Sequence, residues 1–202
     1  MTAPLSRMDR LQIAVARGLK QAGQGLSEMV GRPIRISAPV VELVPTEDVA
    51  IRAGGPEQVV VGIYLGVTGQ VTGHVLLIFP SAAARRLAGM LWEGPVTEDD
   101  LPLTGEDVSA LAEAGNVTTS FFFNHLSDDS GLIIAPTAPT VVEDMLGAVL
   151  DGVLAELSLY GDQALLTQTI FSGPSGDLTG QLIFLLHLST LQTLMEALRE
   201  EA

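Results

Sequence analysis

Residues 104–139 read TGEDVSALAEAGNVTTSFFFNHLSDDSGLIIAPTAP, and residues 4–39 read PLSRMDRLQIAVARGLKQAGQGLSEMVGRPIRISAP. With a shift of 100 positions, Leu11, Ala14, Leu26, Ser27, Gly31, Ile34, Ala38, Pro39 and Val41 fall on Leu111, Ala114, Leu126, Ser127, Gly131, Ile134, Ala138, Pro139 and Val141. Each stretch spells a long helix, a glycine turn and a strand. Farther along the offset becomes 107, and Gly66, Gly69, Thr72 and Gly73 fall on Gly173, Gly176, Thr179 and Gly180. The second half therefore carries an insertion of seven residues. A match over so long a period marks a duplicated unit, here two copies sharing one core and not an open solenoid.

Beyond the glycine turn each copy continues as a hairpin and a shorter helix. Val59 to Gly66 and Val71 to Phe79 are rich in β-branched and apolar residues and flank a Thr-Gly turn, as do Leu165 to Gly173 and Leu178 to Leu188 around a glycine-containing turn. Ser81 and Ser189 are placed to cap helices running to about Leu91 and Leu198. Val141 to Leu157 has helical apolar spacing at Met145, Val149, Leu150, Val153, Leu154 and Leu157; the first half offers no counterpart, and Val44 to Gly55 reads as irregular chain. Gly94 to Leu103, acidic and bracketed by Pro95 and Pro102, is the natural linker. The expectation is one pseudo-symmetric α+β domain over residues 1–202, with a first repeat at 1–93, a linker at 94–103 and a second repeat at 104–202.

Composition narrows the function. The 202 residues suffice for one domain of ordinary size and exclude a large multidomain enzyme, while 47% hydrophobic against 17% charged residues marks a core-forming chain. No cysteine is present, so disulfide scaffolds, thiolate zinc sites, iron–sulfur clusters and cysteine nucleophiles fall away together. The three histidines are scattered at 74, 125 and 187, which gives a histidine metal cage little to build on, and no metal ligand set is expected. Net charge is −14, divided as −1 over residues 1–100 and −13 over residues 101–202, so a phosphate backbone would be repelled and nucleic acid is excluded as a partner. That acidity serves either solubility and helix N-termini, as at Glu106 and Asp107, or a basic partner. No apolar run approaches the ~18–20 residues a bilayer span needs, so no membrane insertion is expected. Met1 to Lys20 superficially suggests a transit peptide, but the repeat makes it a structural helix and the expected location cytoplasmic.

Thr104 opens the second long helix, which the pattern carries to Ser127. Ser109, Glu113, Asn116 and Ser120 fall within an arc of roughly 60° on it, at ~100° per residue, and form one polar stripe. Leu111, Phe121, Phe122 and Leu126 supply apolar bulk, while Ala112, Ala114 and Gly115 admit a close neighbour. Three consecutive phenylalanines at 121–123 span so wide an arc that one ring must point away from the core. Met90 and Trp92 read as packing residues, and His125 as a structural imidazole. Gly173-Pro174-Ser175-Gly176 lacks the Lys-Ser/Thr pair of a phosphate loop and joins two strands, so it reads as a hairpin turn.

This region resembles the CheC/CheX/FliY family of response-regulator phosphatases, whose motif is Asp or Ser, three residues, Glu, two residues, Asn, then 22 residues and Pro. Here the motif stands as Ser109, Glu113, Asn116 and Pro139 with every spacing kept. The likeness to CheC extends through Asn124-His125-Leu126-Ser127, Gly131, Pro136-Thr137-Ala138-Pro139 and Asp144 to Leu150, and in the first half through Leu26-Ser27, Gly31, Pro39 and the Gly66 to Phe79 hairpin. It implies two pseudo-symmetric halves on a shared sheet with the long motif helices outside. The first-half positions are Asp9, Ile13, Ala16 and Pro39, lacking both the Glu and the amide, so that site is degenerate.

The resemblance implies an aspartyl-phosphate phosphatase in chemotaxis or related two-component signalling. Asn116 would orient the attacking water and Glu113 would pair with the Lys of a CheY-like response regulator. Ser109 and Pro139 would support the site. The chain would bind no cofactor of its own, since Mg2+ would sit on the regulator. A CheD-type deamidase is a further implied partner. The rival reading is a non-catalytic binding protein for the phosphorylated regulator, the flagellar switch or CheD, because FliM-like relatives share the fold without the motif.

Overall fold

A computed structural model describes residues 5–37, 39–96, 101–159, 163–173 and 178–198. The first copy forms helix α1 (Arg7–Val30), strands β1 (Arg35–Ile36) and β2 (Val40–Pro45), a 3-10 turn (Thr46–Asp48), helix α2 (Val49–Arg52), strands β3 (Val59–Gly69) and β4 (Gly73–Pro80), and helix α3 (Ser81–Trp92). The second copy repeats the order with α4 (Gly105–Ser130), β5 (Ile134–Pro136), β6 (Thr140–Met145), α5 (Leu146–Ser158), β7 (Gln163–Ser172), β8 (Thr179–Leu186) and α6 (Leu188–Ala197).

The two long helices are defined by their ends. Capping boxes of Ser6 with Asp9 and of Thr104 with Asp107 satisfy N–H groups that a first helical turn leaves open. Gly31 and Gly131 end the helices in left-handed backbone, with φ of 71° and 72°, where a side chain would be strained. Helix α4 thus runs to Ser130, through Asp128 and Asp129 and beyond the expected stop at Ser127, because Gly131 is what breaks it.

All strand pairings are antiparallel, and the sheet order is β1-β7-β8-β4-β3-β5, with β2 alongside β7 and β6 alongside β3. The edge strands of each copy therefore pair with the hairpin of the other. Val40 to Pro45 lie against Gln168 to Gln163, and Thr140 to Met145 against Tyr64 to Val59. Strands β4 and β8 join the two hairpins at the centre. Each edge is interrupted, between β1 and β2 and between β5 and β6, by a segment holding Pro39 or Pro139, residues with no N–H for a ladder. A hydroxyl serves each break: Ile170 N–H donates to Ser37 Oγ and Gly66 N–H to Thr137 Oγ1, both at 2.9 Å.

Strand β4 is buried on both faces and reads as a continuous apolar run. Val75, Leu77 and Phe79 join the larger core under α1, α3, α4 and α6; Leu76 and Ile78 join a smaller one under α2 and α5. Helix α4 reaches the sheet closely because residue 115 is glycine, where a Cβ would stand 2.5 Å from Ile63 Cγ2.

Several expectations are corrected. Residues 141–157 are not one helix: alternating exposure along Thr140–Met145 makes that segment a strand, and the buried helical face is Leu146, Leu150, Val153 and Leu157. Val44 to Gly55 is not irregular either. It ends β2 and then supplies the 3-10 turn and α2, a shortened counterpart of the 13-residue α5. Ser81 and Ser189 are not caps; β4 and β8 run almost directly into α3 and α6, whose cap positions are Pro80 and His187. Residues 97–100 of the linker and 174–177 of the second hairpin turn lie outside the described residues. Among the described residues no helix is long and apolar enough to cross a membrane.

Arg85 of α3, only 2% exposed, donates from Nη2 to Glu143 Oε1 and Oε2 of β6 at 2.8 and 3.1 Å, tying the first copy to the edge strand of the second. Removing Glu143 takes away a carboxylate that faces this buried guanidinium. Glu143→Ala is expected to lower the unfolding free energy by about 3 kcal/mol in urea denaturation, whereas Glu42→Ala, whose pair with Arg52 is far more exposed, is expected to change it by less than about 1 kcal/mol.

Candidate functional site

The placement of α4 begins at a buried carboxylate. Asp107 is fully buried; it accepts the Thr104 N–H at 3.0 Å and the Trp92 Nε1–H at 3.1 Å. The first turn of α4 is thereby fastened to the last turn of α3. Asp107 stands in the first turn of α4, as expected of a helix-terminal acid, and Trp92, expected only to pack, bonds to it. Nothing local in the sequence signals the pair, since Trp92 reaches Asp107 across the linker. Farther along, Phe121 is exposed and lies over Gly25 of α1, while Phe122 and Phe123 are buried, as the wide arc of three rings requires. His125 lies 3.6 Å from Asp129 on the same helix.

From this frame α4 presents the polar stripe outward. Glu113 and Ser109 are exposed and Asn116 is half-buried. The Ser109 hydroxyl donates to the Gly105 carbonyl at 2.8 Å, so it is engaged within the helix and is not poised as a nucleophile. Among the described residues, neither the Glu113 carboxylate nor the Asn116 side-chain amide has a hydrogen-bond or ion-pair partner. Beneath them Thr119 Oγ1 donates to the carbonyls of Gly115 and Asn116 at 2.8 and 3.2 Å, an extra tie on the backbone that carries the amide. Ser109 and Glu113 line a groove of about 630 Å³ with Met29, Leu91, Trp92 and Glu106. Asn116 and Pro139 are not part of that lining; Pro139 sits at the break between β5 and β6, two strands packed against α4. A carboxylate and an amide one turn apart, both without partners, can grip a cation and orient a water molecule on a visiting surface.

The first copy is built alike and equipped differently. Asp9 Oδ2 accepts the Ser6 hydroxyl at 2.7 Å and the Ser6 N–H at 2.9 Å, and these bonds hold the carboxyl below its ordinary pKa. Asp9 is thus engaged in the capping box that starts α1. Ala16 and Pro39 line a common groove of about 470 Å³ with Lys20 and Gln24, while Ile13 is half-buried. Of the four motif positions only 16 and 39 line that groove, and the first copy has no carboxylate at 13 and no amide at 16.

A duplicated α/β unit with exchanged edge strands and one Glu–Asn pair on its second long helix defines a protein of the CheC/CheX/FliY type. The CheC-like family model matches residues 108–143. The CheY-P phosphatase CheC of Bacillus subtilis (strain 168) is 30% identical over 166 residues, which cover 81% of this chain and 78% of that protein. FliY of Thermotoga maritima has a similar fold, with a TM-score of 0.73 at 16% identity and 98% of both chains covered. The CheX-CheY-BeF3-Mg+2 complex from Borrelia burgdorferi contains a chain similar at a TM-score of 0.58 and 18% identity, with 83% of this chain and 94% of that chain covered. The chain belongs to the CheC-like family.

Because Trp92 is the sole tryptophan, the Asp107 anchor has its own reporter. Asp107→Ala is expected to cost about 1–2 kcal/mol through the lost cap and to change the tryptophan emission of the folded protein. An unaltered spectrum and stability would mean that α4 is positioned by other contacts.

Proposed function

We propose that this protein accelerates hydrolysis of the aspartyl phosphate of a CheY-like response regulator. The observation that carries the reading is the unpartnered pair Glu113 and Asn116, presented on α4 at the family's spacing in a relative of CheC. The regulator brings its own phospho-aspartate, Mg2+ and Lys, so the phosphatase has only to complete that site. Glu113 pairs with the regulator Lys and sets the docking geometry. Asn116 holds a water in line with the phosphorus, accepting from it through the amide oxygen or donating to it through the amide nitrogen. The water oxygen bonds to phosphorus as the bond to the aspartyl oxygen breaks; the regulator regains its carboxylate and inorganic phosphate leaves with the water's second hydrogen, the other having passed to solvent. Phosphoryl transfer needs little covalent help from the protein, and placing the nucleophile removes much of the entropic and solvent-reorganisation cost.

The surroundings suit a protein partner. The groove beside Glu113 combines apolar side chains with the carboxylates of Glu106 and Glu113. The net −13 of residues 101–202 favours encounter with a basic face and raises the association rate more than the final affinity. Ser109 and Pro139 shape the site, the former through its helix bond and the latter by interrupting the edge strand. The reading places the protein in the cytoplasm with its regulator, and a CheD-type deamidase is a second proposed partner.

Two experiments on the decay of a phosphorylated CheY-like regulator test this. Asn116→Ala is expected to reduce the acceleration by ~10²-fold or more with binding retained, and Glu113→Ala to weaken both binding and turnover. Undiminished dephosphorylation by the double variant would overturn the mechanism, and binding by the unaltered protein without any change in phosphate lifetime would establish the scaffold reading instead. In the first copy, Ile13→Ala and Ala16→Gly are expected to leave turnover nearly unchanged; a large loss in either would restore a catalytic role to that groove.

A further inference from the structure

His74 and His187, which the sequence separates by 113 positions, meet in the fold. Strand β4 starts at Gly73, paired with Leu186 at the end of β8, so His74 on β4 comes beside His187, the residue between β8 and α6. Helix α5 crosses the same face and adds Glu156. The histidine Nε2 atoms stand 3.4 Å apart, and Glu156 Oε1 lies 3.7 Å from each. His74 and His187 are 2% and 6% exposed. Their Nδ1 atoms face outward to hydroxyls, His74 to Tyr64 Oη and His187 to Thr72 Oγ1, each at 3.1 Å.

This is the arrangement of a metal ligand set with its supporting shell. In the tautomer in which each Nδ1–H donates to its hydroxyl, both Nε2 lone pairs turn toward each other and toward the Glu156 carboxylate, a grouping that a cation between them would stabilise. Their separation exceeds the ~2.7–3.2 Å of an ordinary N–H hydrogen bond, and matches the about 3.3–3.4 Å between two ligands on a tetrahedral ion with bonds of ~2.0–2.1 Å.

We propose that His74, His187 and Glu156 form a binding site for a divalent transition-metal ion of the zinc class, with a fourth position open to water. A cavity of about 310 Å³, lined by these three residues with Tyr64 and Thr72, gives the entry path and the room for that water. The site joins β4 of the first copy to α5 and the β8–α6 junction of the second. It lies on the face of the sheet turned toward α5, whereas α4 with Glu113 and Asn116 packs on the other, so it stands independently of the phosphatase reading. Its effect is to clamp α5, which rests on the smaller core.

The chelator-treated protein titrated with Zn2+ is expected to bind one ion per chain at this site, and a hundredfold excess over the dissociation constant to raise Tm by about 5–10 °C. Co2+ in its place should give the intense visible bands of a tetrahedral site with nitrogen and oxygen donors. Glu156→Gln, at a position exposed enough to leave folding intact, is expected to weaken binding by more than ~10-fold; His74→Gln and His187→Gln are expected to abolish it. No saturable binding by the folded protein up to millimolar Zn2+ would overturn the proposal. Binding that survives Glu156→Gln with unchanged affinity would overturn it too, by assigning the ion to other carboxylates.

Discussion

The structure depends on an exchange of edge strands. Neither copy of the repeat completes its own sheet: β2 finds its backbone partners on β7, and β6 finds its partners on β3. A strand edge left open exposes a row of unpaired N–H and C=O groups, so each half covers the liability of the other. The pairing of β4 with β8 then closes the middle, and the helices take their positions from a sheet that both copies had to build. Pro39 and Pro139 belong to this device, because each stands where an edge strand is interrupted and the chain passes on to a second segment of ladder.

Once the sheet exists, the second long helix has little freedom. Gly115 allows it to lie against Ile63, the bond from Trp92 to Asp107 holds its start, and Gly131 ends it where β5 must begin. Three constraints along one helix leave its outer face free of structural duty. Glu113 and Asn116 can therefore stand unpartnered, at little cost to the fold, because both remain in reach of water. The same face of α1 carries no such pair. It keeps the cap, the left-handed glycine and the bend proline, which the architecture needs, while positions 13 and 16 hold an Ile and an Ala.

The duplication was legible in the chain because its signals are local: a capped start, a left-handed glycine stop, and β-branched runs around a turn. The Glu–Asn pair was legible for the same reason, since helical spacing alone sets both residues on one stripe. What escaped reading depends on partners distant in sequence. Val141 and Val142 have helical neighbours in the chain and lie in a strand only because β3 offers an open edge. Ser81 and Ser189 have the chemistry of caps, but the strands before them run on until the helix has begun. Asp107 reads as one more surface acid until Trp92 covers it, and the two histidines read as isolated until β4 and β8 lie side by side.

The crossed pairing also dictates an order of events during synthesis. Strands β1 and β2 are made long before β7, at 163–172, which supplies their ladder partners. For most of translation the nascent chain must carry a half-finished sheet whose outer rows of amides are satisfied by solvent or by a chaperone. Closure of the shared sheet therefore waits on contacts between the copies that are distant in sequence, the kind of contact that slows folding.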